Sequence, residues 1–183
     1  FLSPNDYSFY IIHARSRFVN RNRAKYLKNI RGSDKVVFGI FYGQNAALME
    51  ENKMFENLKL IIKNAYTPYS NYNVACILVM NNNQEFIGVN VENASYKNGL
   101  CAEQVAFASA IAEGYKKEDF KELHVAGSGK EICVPCFLCR ELLVEFMDED
   151  ASVFCYNNKG KCVEYKVKDL CPYPFVLEDN DDK

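Results

Sequence analysis

NVENASYKNGLCAE, residues 90 to 103, completed by PCFLC at residues 135 to 139, is the stretch on which the reading of this chain turns. Together the two segments supply three thiols and one carboxylate: Cys101, Cys136, Cys139 and Glu103. Three thiolates can bind a tetrahedral zinc ion and leave its fourth position open, which is the arrangement of a catalytic zinc site and not of a structural one. Cys136 and Cys139 lie three apart. A helix opened by Pro135 would therefore set both on one face of its first turn, where unpaired N–H groups and the positive end of the dipole favour thiolate. Cys101 opens a second apolar segment, AEQVAFASAIAEGY, in which Val105, Ala108, Ile111 and Ala112 recur at helical spacing until Gly114 ends it. Glu103 falls in the first turn of that helix, close enough to meet a water at the open position without completing the metal shell.

Outward from this stretch the apolar pattern alternates between helix and strand. EENKMFENLKLIIKNAY, after Met49, is an amphipathic helix with Phe55, Leu58, Ile61 and Ile62 on one side. TPYSNY (67–72) is a turn-rich link, and VACILVM (74–80) and EFIGVNV (85–91) pair as strands around NNNQ. FKELHVAGS (120–128) is a further strand, and the PCFLC helix carries Leu142, Leu143, Phe146 and Met147 inward. ASVFCY (151–156) and CVEYKV (162–167) follow as strands around NNKGK. The order α-β-β-α-β-α-β-β predicts an α/β fold with a central mixed sheet covered on both faces.

Bulk properties limit the alternatives. A chain of 183 residues that is 49% hydrophobic, with no apolar tract of about 18 residues, reads as one globular domain with no membrane partner. Eight cysteines, two of them in a C-x-x-C pair, with no apolar secretory leader, point to a metal site in a reducing, cytoplasmic compartment rather than to disulfides. Residues 1–48 carry eight Lys or Arg against Asp6 and Asp34, a net +6, which leaves −8 on residues 49–183 of the overall −2. The domain is accordingly expected to start near Met49, and 1–48 is read as a basic extension to which no function is assigned. RSRFVNRNRAKYLKNIRG has the character of a transit peptide or a nucleic-acid arm. Because the chain starts at Phe1, the plainer expectation is a fragment, a processed product, or translated sequence ahead of a start at Met49. EDNDDK at the end is expected to be a solvated tail.

PYSNY (68–72), NVENASY (90–96), CAE (101–103), PCFLCRE (135–141) and LCPYPF (170–175) give the chain a specific resemblance. From Met49 to Phe175 it resembles a cytidine deaminase of the small, all-cysteine zinc type. The resemblance implies a three-layer α/β/α sandwich with a five-stranded mixed sheet, and one Zn2+ per chain held by Cys101, Cys136 and Cys139. It implies hydrolytic deamination of cytidine and deoxycytidine to uridine and deoxyuridine, as in pyrimidine salvage. Glu103 would be the general acid/base, moving a proton from the attacking water to N3 of the pyrimidine while C4 is attacked, then helping ammonia to leave. Asn90 and Glu92 would contact the ribose, a pairing that suits sugar hydroxyls because Glu accepts while Asn both donates and accepts. By the same resemblance Tyr72 lines the base pocket, Ala102 makes a main-chain contact to the base, and Phe175 reaches a neighbouring subunit's site in a homotetramer. A small nucleoside is the expected partner; Cys101 as first ligand and an acidic domain argue against a polynucleotide.

Three positions depart from the family pattern. Gln104 follows CAE where Arg is common, and that Arg normally bonds thiolate sulfur and offsets the negative charge of a three-thiolate centre; here Arg140, helix termini and the Gln104 amide are the visible substitutes. NVACIL stands where small residues are usual, which would put Cys76 and Ile77 near the pocket floor. Phe137 and Leu138 stand inside PCxxC, where small residues are common, and would crowd the approach or alter subunit packing. Two rivals compete with this reading. A nucleoside-analogue deaminase of the blasticidin type shares the cysteine–glutamate centre but lacks the NxEN pattern. An iron–sulfur or structural zinc protein would use Cys133, Cys136 and Cys139 with Cys171, yet leaves Glu103 and NVEN without a role. Cys76, Cys155, Cys162 and Cys171 are expected to be small buried hydrophobes, and His124 structural.

Overall fold

Five strands and four helices carry the described part of the chain, residues 44–175 of the computed structural model. The basic extension, apart from 44–48, and the EDNDDK end lie outside the described residues. In chain order the elements are α1 (Gln44–Ile61), β1 (Val74–Met80), β2 (Glu85–Val89), α2 (Ala102–Ala112), β3 (Phe120–Gly127), α3 (Phe137–Phe146), β4 (Ser152–Tyr156), β5 (Cys162–Lys166) and the short α4 (Val167–Leu170). The strands form one sheet in the order β2-β1-β3-β4-β5, parallel only between β3 and β4.

Position in the sheet accounts for the composition of each strand. β1 lies between two neighbours and is buried along nearly its whole length, so it reads as an uninterrupted apolar run. β2 is an edge and alternates, with Phe86 and Gly88 inward and Glu85 and Ile87 outward. Between them Asn83 takes φ 62, a left-handed setting that Asn tolerates better than most residues.

Helices cover both faces, as the element order leads one to expect. Cys76, Leu78, Met80, Leu123, Val125, Val153 and Cys155 form one face and pack on Ala106, Phe107 and Ala110 of α2 and Leu143 of α3. Phe107 stacks on Phe120 at 5.0 Å and lies 5.6 Å from Phe146; each such buried side chain contributes about 1.5–3 kcal/mol. The opposite face, Ala75, Ile77, Val79, Ala126 and Tyr156, packs on Leu58 and Phe55 of α1. Ile77 therefore faces α1, away from the helices that carry the thiols, and the expectation that it floors the pocket is wrong: neighbouring residues of a strand point to opposite faces.

The inward stripe of α2 also differs from the expected one. Ala102, Glu103, Ala106, Phe107 and Ala110 are buried, whereas Ala108 and Ile111 are exposed. The helix is apolar all round, so periodicity could not select a face. What selects it is close approach to β2: a Cβ on Gly88 would sit 2.0 Å from the Ala102 carbonyl oxygen and 2.8 Å from the Ala106 nitrogen. His124 is structural, as expected: buried on the α1 side, its Nδ1 lies 3.1 Å from the Tyr156 hydroxyl and its ring stacks on Phe154 at 4.6 Å. Among the described residues no helix is long and apolar enough to cross a membrane.

Candidate active site and metal centre

Two helix starts meet at one end of the sheet. Cys101 is the N-cap of α2 and Cys136 the N-cap of α3; Cys139 lies in the first turn of α3. Pro135 precedes the cap and does not occupy the first helical position, a correction to the expected helix start that leaves both thiols on the same turn. The three sulfurs lie within 4.8 Å of one another, with Cys101 Sγ and Cys136 Sγ 3.7 Å apart. Tetrahedral bonds of about 2.3 Å put sulfur atoms about 3.8 Å apart, so this donor set fits a zinc ion with a fourth position left over. Among the described residues this is the group of His, Cys, Asp and Glu side chains spaced to share an ion.

Electrostatics favour thiolate at Cys101 and oppose it at Cys139. As free thiols, a hydrogen bond from Cys139 draws Cys101 down to about 7 against the effect of burial. Cys139, the donor, is pushed up by that bond, by burial and by the nearby Glu103 carboxylate. Of the expected counter-charges, Arg140 is already engaged: Nε donates to the Pro135 carbonyl (2.8 Å), a terminal nitrogen donates to Leu170 (3.3 Å), and the guanidinium lies 4.5 Å over Phe137. Gln104 uses its carboxamide oxygen to accept the Cys101 N–H at 2.8 Å. The helix N-termini are left as the positive ends facing the sulfurs.

Glu103 is 4% exposed, and burial raises its pKa above the usual carboxylate value, opposed by its own backbone N–H and by the Cys139 thiol. A carboxyl whose proton affinity is raised in this way suits a carrier between water and a base. Ala102 is fully buried as the first residue of α2, so its N–H has no partner inside the helix while its carbonyl lies against Gly88.

Asn90 and Glu92 follow β2 and hold the turn that carries Tyr72. Asn90 Oδ1 accepts the Val74 N–H (2.8 Å) and its Nδ2 donates to the Tyr72 carbonyl (2.9 Å). Glu92 Oε2 accepts from Tyr69 N–H (2.9 Å) and Ser70 N–H (3.2 Å), and the Ser70 side chain first, then these two backbone bonds, hold its carboxyl below the usual range. Beside them is an open groove of about 370 Å³ lined by Tyr69, Ser70, Glu92, Asn93, Tyr96 and Gly99. Tyr69 and Tyr96 meet edge to face across it at 6.0 Å.

The remaining expected residues are placed as follows. Tyr72 is 40% exposed, with its hydroxyl on Cys133, and Phe175 stands 74% exposed at the end of the described residues. Cys76 and Cys155 are buried, as expected, but Cys162 and Cys171 only partly so. Cys133 is not among the sulfurs that can share an ion, which removes the C-x-x-C-x-x-C cluster. Phe137 and Leu138 project outward, 77% and 72% exposed. Sequence reasoning missed the contact of Tyr72 with Cys133, although GSG at 127–129 after an apolar strand signals close approach of another group.

The family model for the cytidine and deoxycytidylate deaminase zinc-binding region matches residues 49–155. The chain belongs to this deaminase family. It is 38% identical over 117 residues to the cytidine deaminase of Mycoplasma genitalium, covering 64% of this chain and 88% of that one. With the cytidine deaminase of Halalkalibacterium halodurans it shares 36% identity over 118 residues, again 64% of this chain and 88% of the relative. A crystal structure of cytidine deaminase from Burkholderia pseudomallei superposes with a TM-score of 0.65 at 36% identity, covering 68% of this chain and 98% of that one. The five-stranded mixed sheet is thus the fold of the deaminase family as well as the one read from the element order.

Proposed function

We propose that the protein catalyses the zinc-dependent hydrolytic deamination of cytidine and deoxycytidine to uridine and deoxyuridine with release of ammonia, a reaction of pyrimidine salvage. The observation that carries the reading is a buried carboxyl, Glu103, within the first turn of the helix whose cap is one of three sulfurs spaced for one ion. Zinc held by Cys101, Cys136 and Cys139 would supply the Lewis acidity that activates water near neutral pH. Glu103 takes one proton from the attacking water and delivers it to N3 so that C4 becomes electrophilic, then takes the remaining proton of the added hydroxyl and passes it to the departing amine as the C4 carbonyl forms. The Ala102 N–H meets the base, Tyr72 walls its ring, and the Glu92 carboxylate with the Asn90 carboxamide orients the sugar hydroxyls.

Residues 49–183 form the catalytic domain in this reading. A homotetramer is supported by the exposed Ile111 on an apolar helix and by Phe137 and Leu138 beside the site, with Phe175 reaching a neighbour. A cytoplasmic location is supported by the three thiols that must stay reduced to bind metal. Incubating the zinc-loaded full chain with cytidine and with deoxycytidine, and following the absorbance change as uridine forms, tests the proposal. Turnover that Glu103→Ala abolishes, with about one zinc per chain in both proteins, supports it. No turnover by the zinc-loaded wild-type protein refutes it.

A further inference from the structure

The ring of Tyr72 lies in a slot that the reaction alone does not require. A Cβ on Gly129 would stand 2.9 Å from Tyr72 Cε2, and one on Gly127 would stand 2.3 Å from the hydroxyl and 3.0 Å from Cys133 Sγ. Neither glycine has a positive φ, so what these positions supply is a bare Cα and not backbone freedom. The phenol hydroxyl and the Cys133 sulfur thus meet over the same bare Cα, and burial first, then the neighbouring Cys133, pushes the phenol's pKa up to about 12. Cys133 is itself 8% exposed, is held through its N–H by the Tyr156 carbonyl at 3.2 Å, and lies within the field of Glu103. On the backbone side the same tyrosine is fixed by Asn90, and its N–H donates to Ser70 Oγ at 3.0 Å. A side chain that is 40% exposed, gripped at its tip, its edge and its main chain, has been deprived of the rotamers that an exposed aromatic would otherwise sample.

We infer that Cys133 is a positioning residue for deamination: its thiol anchors the Tyr72 phenol and, with the bare Gly127 and Gly129, fixes the aromatic wall that presents the pyrimidine to Glu103. The inference rests on the functional reading above. Cys133 touches no substrate, so its effect runs through Tyr72 and falls on binding of the base more than on proton transfer.

The test uses the full zinc-loaded chain with Cys133→Val, Cys133→Ser, Tyr72→Phe, Gly129→Ala and the Cys133→Val/Tyr72→Phe double variant. Valine removes the sulfur but is bulkier than cysteine, so serine, smaller and still an acceptor, is the control for size. Cys133→Val is expected to raise KM for cytidine about tenfold with kcat within about twofold, at unchanged zinc content and melting temperature. Tyr72→Phe should give a similar rise, the double variant no further rise, and Cys133→Ser should recover most of the loss. Gly129→Ala, which pushes the ring from the other side, should also raise KM. In protein carrying 13C-labelled tyrosine, the Tyr72 ring resonance should move in Cys133→Val and return in Cys133→Ser. An active Cys133→Val enzyme with unchanged KM, or additive effects in the double variant, overturns the role of Cys133 alone. A wild-type chain that turns over no cytidine sinks the functional reading and this role with it.

Discussion

Glu103 and Gln104 are adjacent and do opposite things to the same centre. Replacing Glu103 by Gln keeps a hydrogen-bonding group of the same length and removes the ability to carry a proton, so kcat should fall about 10²- to 10⁴-fold while zinc content is unchanged. Gln104 caps the Cys101 N–H and brings no charge. Arginine there cannot accept that hydrogen bond, so Gln104→Arg should cost about 1 kcal/mol of stability while adding a cation beside the thiolates. A less electron-rich centre acidifies its water more. The acid limb of the pH–rate profile should therefore move to lower pH and kcat should rise; coincident profiles for the two proteins would contradict this. At this scale the sequence was informative wherever chemistry demands a residue type, as with the three thiols and Glu103. It was less informative where the demand is only for space: GSG at 127–129 signals that some group comes close, and nothing in the letters says that the group is a phenol.

The helices and strands show where pattern suffices and where packing decides. β1, β3 and α3 were legible because burial on both faces, or on one defined stripe, leaves a periodic trace. The orientation of α2 left no such trace, and Gly88 sets it through backbone contact with Ala102 and Ala106. Gly88→Ala should therefore destabilise the protein by about 3 kcal/mol or more and lower zinc retention as well, because α2 carries Cys101; thermal unfolding and metal analysis would measure both. On the other face, a hydrogen bond with His124 is the first cause of the lowered Glu122 pKa. A lowered carboxyl contributes stability that is present above the usual glutamate value and is lost as pH falls through the lowered one. Glu122→Gln should accordingly flatten the acid side of the stability curve, seen as a smaller difference in urea midpoint between pH 7 and pH 4.

Considered as a whole, the molecule has two unlike ends. Tyr72 before β1, Asn90 and Glu92 after β2, Cys101 at the start of α2, Ser128 to Cys136 after β3, and the first turn of α3 all gather at one end of the sheet. This follows from topology, since β1 runs against both β2 and β3. The outward apolar residues Phe137 and Leu138 lie at that same end, so in the proposed tetramer Leu138→Asp should shift sedimentation toward smaller species, with a greater loss of activity where a neighbour completes the site. Which apolar side chains face outward was the part least legible in the letters, because an exposed apolar side chain and a core one look alike until the fold assigns them a side. The opposite end holds the Asn81–Gln84 turn, bonded to Asp119 through its backbone, and the Asp148–Asp150 turn before β4. Nothing there touches the sulfurs or Glu103. A reporter peptide, dye or surface tether spliced between Asn82 and Asn83 should leave turnover intact, which makes that end the natural handle for immobilising the catalyst.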